Sequence, residues 1–241
     1  MSKRNSVPST GGASKAGAGS EPSYDKQKDL LGAGTGHFSL LRALHMADYI
    51  TALNGACGIL SIFSSLRYCL GDPADKSNLY LALAFLPFGL FFDFMDGRVA
   101  RWRKKSSMMG QELDSLADLI SFGLAPACVA FTIGLRTTLD HVGLAFFVLC
   151  GLVRLARFNV TAANIPKDAT GKASYFEGTP IPTTLGLDAL MAWWVSHDRI
   201  LTDVPGGVWL AGSPLEFHPV LLLFIVHGCL MCSKTLHVPK P

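Results

Sequence analysis

Six stretches of this chain, at about 49–70, 78–97, 111–134, 140–158, 181–198 and 217–235, are predominantly apolar and close to the length of a bilayer-crossing helix. No feature limits the fold more. In hydrocarbon every backbone N–H and C=O must be satisfied within the protein, which leaves only helices and closed barrels. The stretches lack the period-two alternation of barrel strands, so the reading is an all-α membrane protein, a bundle of six transmembrane helices. Composition agrees: 49% of the 241 residues are hydrophobic and 16% charged, against about a quarter charged in soluble domains. A net charge of +3, with no basic stripe and interleaved aromatics, argues against a nucleic-acid partner.

Residues 1–36 are rich in Ser, Gly, Ala and Lys and contain no apolar run; a disordered tail is expected there. Between 37 and 48, Phe38, Leu40, Leu41, Leu44 and Met46 recur at near-helical spacing, which predicts an amphipathic helix lying at the membrane interface. The transmembrane domain is then expected over 49–241. With the N-terminus in the cytoplasm, every Lys and Arg except Arg67, Lys76, Arg136 and Arg199 falls on the cytoplasmic side, as the positive-inside rule requires. Six spans bring the C-terminus back to the same side. Asn159-Val160-Thr161 forms a glycosylation sequon that this topology leaves cytoplasmic and unmodified. The six cysteines lie in or at the ends of apolar runs and are read as small buried hydrophobes.

Acidic residues break the apolar pattern at one place. The second run ends in Asp93 and Asp96, three apart, and the third begins with Asp114 and Asp118, four apart. Each pair therefore shares a helix face. The short connection favours antiparallel neighbours, so the two acidic faces meet near the cytoplasmic interface. Four carboxylates gathered at a membrane boundary repel one another and lose hydration, so either their pKa values rise sharply or a cation neutralises them. All-oxygen ligation suits Mg²⁺ or Mn²⁺, and two such ions would bridge a pyrophosphate. Gly97, Ala100 and Gly110 beside these acids leave room for a backbone or a ligand to come close.

The spacing D-x2-D-G-x2-A-R-x8-G-x3-D-x3-D, filled by Asp93, Asp96, Gly97, Ala100, Arg101, Gly110, Asp114 and Asp118, resembles the signature of the CDP-alcohol phosphatidyltransferase family at every fixed position. Chance would produce it about once in 10¹⁰ starts. The resemblance implies a metal pair held by Asp93, Asp96, Asp114 and Asp118. Asp118 would also act as general base, so Asp114 and Asp118 are the expected catalytic residues. Gly97, Ala100, Arg101 and Gly110 would line the CDP-diacylglycerol site, with Arg101 near the phosphates. Six spans and a homodimer, or a larger assembly, are also implied.

The signature does not name the acceptor alcohol; the flanking segments say more. Residues 49–55, 110–118, 154–159 and 175–182 look like the serine-accepting branch of the family, especially its fungal members. That resemblance implies L-serine as acceptor, with Arg154, Arg157 and Phe158 contacting it, and residence in the endoplasmic reticulum membrane with the active site and both termini facing the cytoplasm. Arg154 and Arg157 lie three apart at the end of the fourth run, where a guanidinium fork would suit a carboxylate. Inositol and glycerol phosphate stay open as acceptors within the same chemistry. A divalent-cation transporter would also carry acids inside helices, but it would need polar positions continuing across the bilayer.

Overall fold

The first apolar run folds as α1 (Met46–Leu70), and its packing is the reverse of a soluble helix. Thr51, Asn54, Gly55, Gly58, Ser61 and Ser65, which fall on one helix face, are buried, while Leu53, Ile59, Leu60, Phe63 and Leu66 are exposed. Lipid solvates leucine as well as a protein core does, so helices in a bilayer associate through small residues that let backbones approach. A Cβ on Gly58 would stand 2.8 Å from the Ser121 Cα, and one on Gly55 would stand 3.5 Å from the Ala117 Cβ. Hydroxyls reinforce the contact: Ser61 donates to the Ala82 carbonyl and Ser121 to the Asn54 carbonyl, both at 2.8 Å.

This computed structural model describes residues 46–103, 108–161, 175–233 and 237–239. The expected tail over 1–36 lies outside them, as does the expected surface helix apart from its last residues, Met46–Asp48, which belong to α1. Leu44–Pro241 form one compact unit. Following α1 come α2 (Ser77–Arg103) and α3 (Met108–Asp118), then a π-helical segment Leu119–Leu124 that runs without a break into α4 (Ala125–Ile133). Pro126 has no N–H to continue the ladder and sits in the first turn of α4, directly after the widened π turn. Gly134 ends α4 at φ 141°, where a Cβ would meet Val204 at 2.7 Å and the Leu201 carbonyl at 2.9 Å. That turn requires glycine.

Reciprocal bonds open α5 (Thr138–Thr161): the Thr137 N–H donates to Asp140 Oδ2 and the Asp140 N–H to Thr137 Oγ1, a capping box. Asp140 also accepts from the His218 backbone N–H at 3.0 Å and meets His218 Nδ1 at 2.6 Å, both residues buried. The pair ties the start of α5 to the turn ahead of α7. Strand β1 (Tyr175–Glu177) pairs antiparallel with β2 (His237–Pro239), Phe176 opposite Val238. A 3₁₀ turn Ile181–Thr184 leads into α6 (Leu185–Ser196), a second one spans Leu201–Asp203, and α7 (Leu221–Cys232) is the last helix among the described residues. α7 packs on α5, with Phe147 and Phe224 edge to face at 5.5 Å. The short strand pair is an addition to an otherwise helical body.

Among the described residues four helices are long and apolar enough to cross a membrane: Met46–Leu70, Ser77–Val99, Met109–Ile133 and Thr138–Val160. The fifth and sixth expected spans fold instead as α6 and α7, 12 residues each. At about 1.5 Å per residue these reach about 18 Å of a hydrocarbon core about 30 Å thick. All six cysteines are free; Cys57 and Cys150 are buried, as expected of small hydrophobes, whereas Cys69 and Cys229 are exposed.

Candidate active site

The last turns of α2 and the second half of α3, down to its final residue, carry the four aspartates. Positions 93, 97 and 101 recur every fourth residue along α2, and 110, 114 and 118 along α3. One carboxylate oxygen each from Asp93, Asp114 and Asp118 lies within 4.8 Å of the other two. Asp96 is buried one turn away, its Oδ2 accepting a 2.6 Å hydrogen bond from Thr51 Oγ1. Asp118 is buried as well, and its Oδ1 accepts from Asn54 Nδ2 at 3.0 Å. Among the described residues none of the four forms a salt bridge with Lys, Arg or His.

These acids fit a hard divalent cation. Two oxygens on one octahedral ion, each about 2.1 Å from it, sit about 3 to 4 Å apart, so a spread within 4.8 Å closes with small side-chain movements. Asp114 Oδ1 is a buried acceptor with no hydrogen-bond partner, a costly arrangement unless something positive comes to it. Three carboxylates this close repel one another strongly outside bulk water. A cation offsets that repulsion.

Gly97 and Gly110 are half-buried next to the acids; Ala100 and Arg101 follow on the last turns of α2, and their side chains lie outside the described residues. The two arginines of α5 part company. Arg154 is 8% exposed, has Asp118 and Arg157 as its electrostatic neighbours, and leaves Nε without a hydrogen-bond partner. Arg157 donates through Nη1 to the Cys232 carbonyl at 3.2 Å, at the last residue of α7. Phe158 is 38% exposed. The next residue, Asn159, binds α5 to α3: it accepts from Ser115 Oγ at 3.0 Å and donates to Glu112 Oε2 at 3.1 Å.

Sequence reasoning overlooked Thr51 and Asn54. A signal was present: polar and small residues at positions 51, 54, 55, 58 and 61 form one stripe inside an apolar run, as an interior face in a membrane does. Asp188 on α6 is buried too, both oxygens without hydrogen-bond partners among the described residues.

Comparison with known proteins bears on this site directly. The family model for CDP-alcohol phosphatidyltransferase matches residues 44–227. The chain belongs to that family. The matched residues take in the four aspartates, the two arginines, Thr51 and Asn54. Among similar family members is the CDP-diacylglycerol–serine O-phosphatidyltransferase of Saccharomyces cerevisiae, 57% identical over 85% of this chain and 74% of the relative. A protein of the same name from Methanocaldococcus jannaschii is 32% identical over 84% of this chain and 89% of its own. The Bacillus subtilis protein of that name is 38% identical over 55% of this chain and 67% of its own. The family is metal-dependent, and the Asp93, Asp114 and Asp118 cluster could hold a metal.

Proposed function

We propose that this chain transfers the phosphatidyl group of CDP-diacylglycerol to the hydroxyl of L-serine, giving phosphatidylserine and CMP. The observation that carries the reading is the Asp93, Asp114 and Asp118 cluster beside a buried arginine with an unpartnered Nε. An oxyanion and a metal-bound pyrophosphate would dock side by side there. Relatives named for serine transfer, at identities up to 57%, support the acceptor.

Asp93, Asp96, Asp114 and Asp118 hold Mg²⁺ or Mn²⁺, two ions on this reading. Bound there, the metal supplies charge neutralisation for the pyrophosphate and acidifies an alcohol brought beside it. The chain's own residues do the rest. Gly97 and Gly110, with no side chains, would let the CDP moiety lie against the helix backbones; for Ala100 and Arg101 the family signature alone implies the same site, with Arg101 near the phosphates. Arg154 takes the serine carboxylate in a charge-assisted fork, with Arg157 and Phe158 completing that side. Asp118 Oδ1 is engaged by Asn54, so the proton of the serine hydroxyl would go to the lone pair of Oδ2 that the ion does not take. The serine oxygen then bonds to the phosphorus nearer the diacylglycerol. The bond from that phosphorus to the bridging oxygen breaks, and CMP leaves with the electron pair. We place α6 and α7, with their flanking turns, as fifth and sixth membrane elements. The active site and both termini face the cytoplasm of an endoplasmic reticulum membrane, and the enzyme is a homodimer.

The test is direct. Purified protein receives CDP-diacylglycerol and labelled serine, inositol or glycerol 3-phosphate, with Mn²⁺ or with a chelator. Phosphatidylserine and CMP in equal amounts, from serine with metal alone, are expected. Product from another alcohol in preference to serine would replace the acceptor, and full turnover in chelator would end the metal reading.

A further inference from the structure

Helix α1 carries none of the four aspartates, yet it grips two of them on two different helices. Thr51 Oγ1 lies 2.6 Å from Asp96 Oδ2 on α2 and 3.2 Å from the Ala47 carbonyl in its own helix. A hydroxyl has one proton to donate, and the shorter, charge-assisted contact is with the carboxylate. Three residues on, Asn54 Nδ2 donates to Asp118 Oδ1 on α3 at 3.0 Å. Thr51 is 4% exposed and Asn54 fully buried.

The surroundings of Asn54 leave its amide little freedom. Its own carbonyl accepts from Ser121 Oγ, which clamps this turn of α1 to the third span. A Cβ on Gly89 would stand 3.0 Å from Asn54 Oδ1, so α2 passes directly over the amide. Asn54 Oδ1 itself is buried with no partner. The amide is thus seated at the expense of one unsatisfied acceptor, and the bond it does make is the one to Asp118.

We propose that Thr51 and Asn54 are positioning residues for the metal centre: each fixes one oxygen of an aspartate, so the second oxygen is presented to the ions at a set angle. The inference rests on the metal reading above. It explains why a hydroxyl and an amide sit inside an apolar helix, where each costs more than an aliphatic side chain unless paired. Groups that orient a metal ligand through a hydrogen bond typically change affinity by about 10- to 100-fold when removed.

The experiment uses the full-length protein in detergent and Mn²⁺ alone as probe, with bound ion read from the loss of the free Mn²⁺ paramagnetic resonance signal. Thr51→Val and Asn54→Leu are expected to weaken Mn²⁺ binding by about 10- to 100-fold, while Thr51→Ser restores it to within about threefold. In turnover assays the same variants need correspondingly more Mn²⁺, with the KM for serine unchanged at saturating metal. Ser61→Ala serves as control, since it removes another α1–α2 hydrogen bond, to the Ala82 carbonyl, well along the helix. It should lower the melting temperature and leave Mn²⁺ binding alone. Folded Thr51→Val or Asn54→Leu protein that binds Mn²⁺ like the parent overturns the inference, as does an equal loss in Ser61→Ala. Either position decides the matter if the other variant fails to accumulate. A parent protein that takes up no Mn²⁺ overturns the metal reading as well, so the two failures are distinct.

Discussion

Arg154 and Arg157 share a helix and a charge, but their surroundings give them separate work. Arg154 is buried toward Asp118 with an open N–H, and Arg157 closes the last turn of α7 through the Cys232 carbonyl, a favourable place for a cation. Arg154→Lys keeps the charge and loses the fork. It should raise the KM for serine by about 10- to 100-fold, the equivalent of a charge-assisted hydrogen bond, leaving the KM for CDP-diacylglycerol within about twofold. Arg157→Ala should instead cost about 0.5–1 kcal/mol of stability through the lost helix cap, seen as a lower melting temperature with a smaller change in serine KM. Equal kinetic effects from both would contradict the division. At this scale the aspartates were legible because carboxylates in an apolar run are costly and their spacing is specific. The split between the arginines was not, because it depends on where α7 ends, far away in sequence. Thr51 and Asn54 escaped notice for a related reason: a hydroxyl and an amide in a membrane helix gain meaning only once the facing helices are known.

Helix by helix, hydropathy placed all six helical regions and overestimated the length of the last two. Periodicity and apolarity say that a segment is helical; they do not report where Pro180 and Pro182 or the turn residues 197–220 shorten it to the 12 residues of α6 or α7. The π segment after Asp118 has no sequence pattern of its own, since its i→i+5 bonds form only when the packing around them favours the extra residue. The exposed leucines of α1 follow from physics already present in the sequence: with lipid as solvent, small residues mark the inside. Gly58 is where that rule is most exacting, because the atoms a Cβ would meet include the Ser121 backbone at 2.8 Å. Gly58→Val should therefore cost about 1–3 kcal/mol as an overpacked contact and part α1 from the π segment that follows α3. Thermal unfolding in detergent should show the loss, and activity should fall with it because Asn54 and Asp118 are drawn apart. A variant as stable and active as the parent would mean that α1 does not pack here.

For the molecule as a whole, charge decides orientation. On the proposed orientation Arg67, Lys76, Arg136 and Arg199 are the four Lys and Arg residues that stand away from the cytoplasm, and the acid cluster faces it. In a cysteine-free background, Trp102→Cys should react with a membrane-impermeant maleimide added to sealed endoplasmic reticulum vesicles, cytoplasmic side out. Asp72→Cys should react only after the vesicles are opened, and the reverse pattern would invert the topology. Asn159 is expected to carry no glycan on this orientation, and its amide is already occupied by Ser115 and Glu112. The proposed chemistry requires a divalent ion held between α2 and α3, and an experimental structure of the Mn²⁺-soaked enzyme, with anomalous scattering to locate the metal, tests it most directly. The expected result is anomalous density bounded by Asp93, Asp114 and Asp118, with carboxylate oxygens about 2.1 Å from the ion. Density elsewhere, with those three side chains turned away from one another, would contradict it.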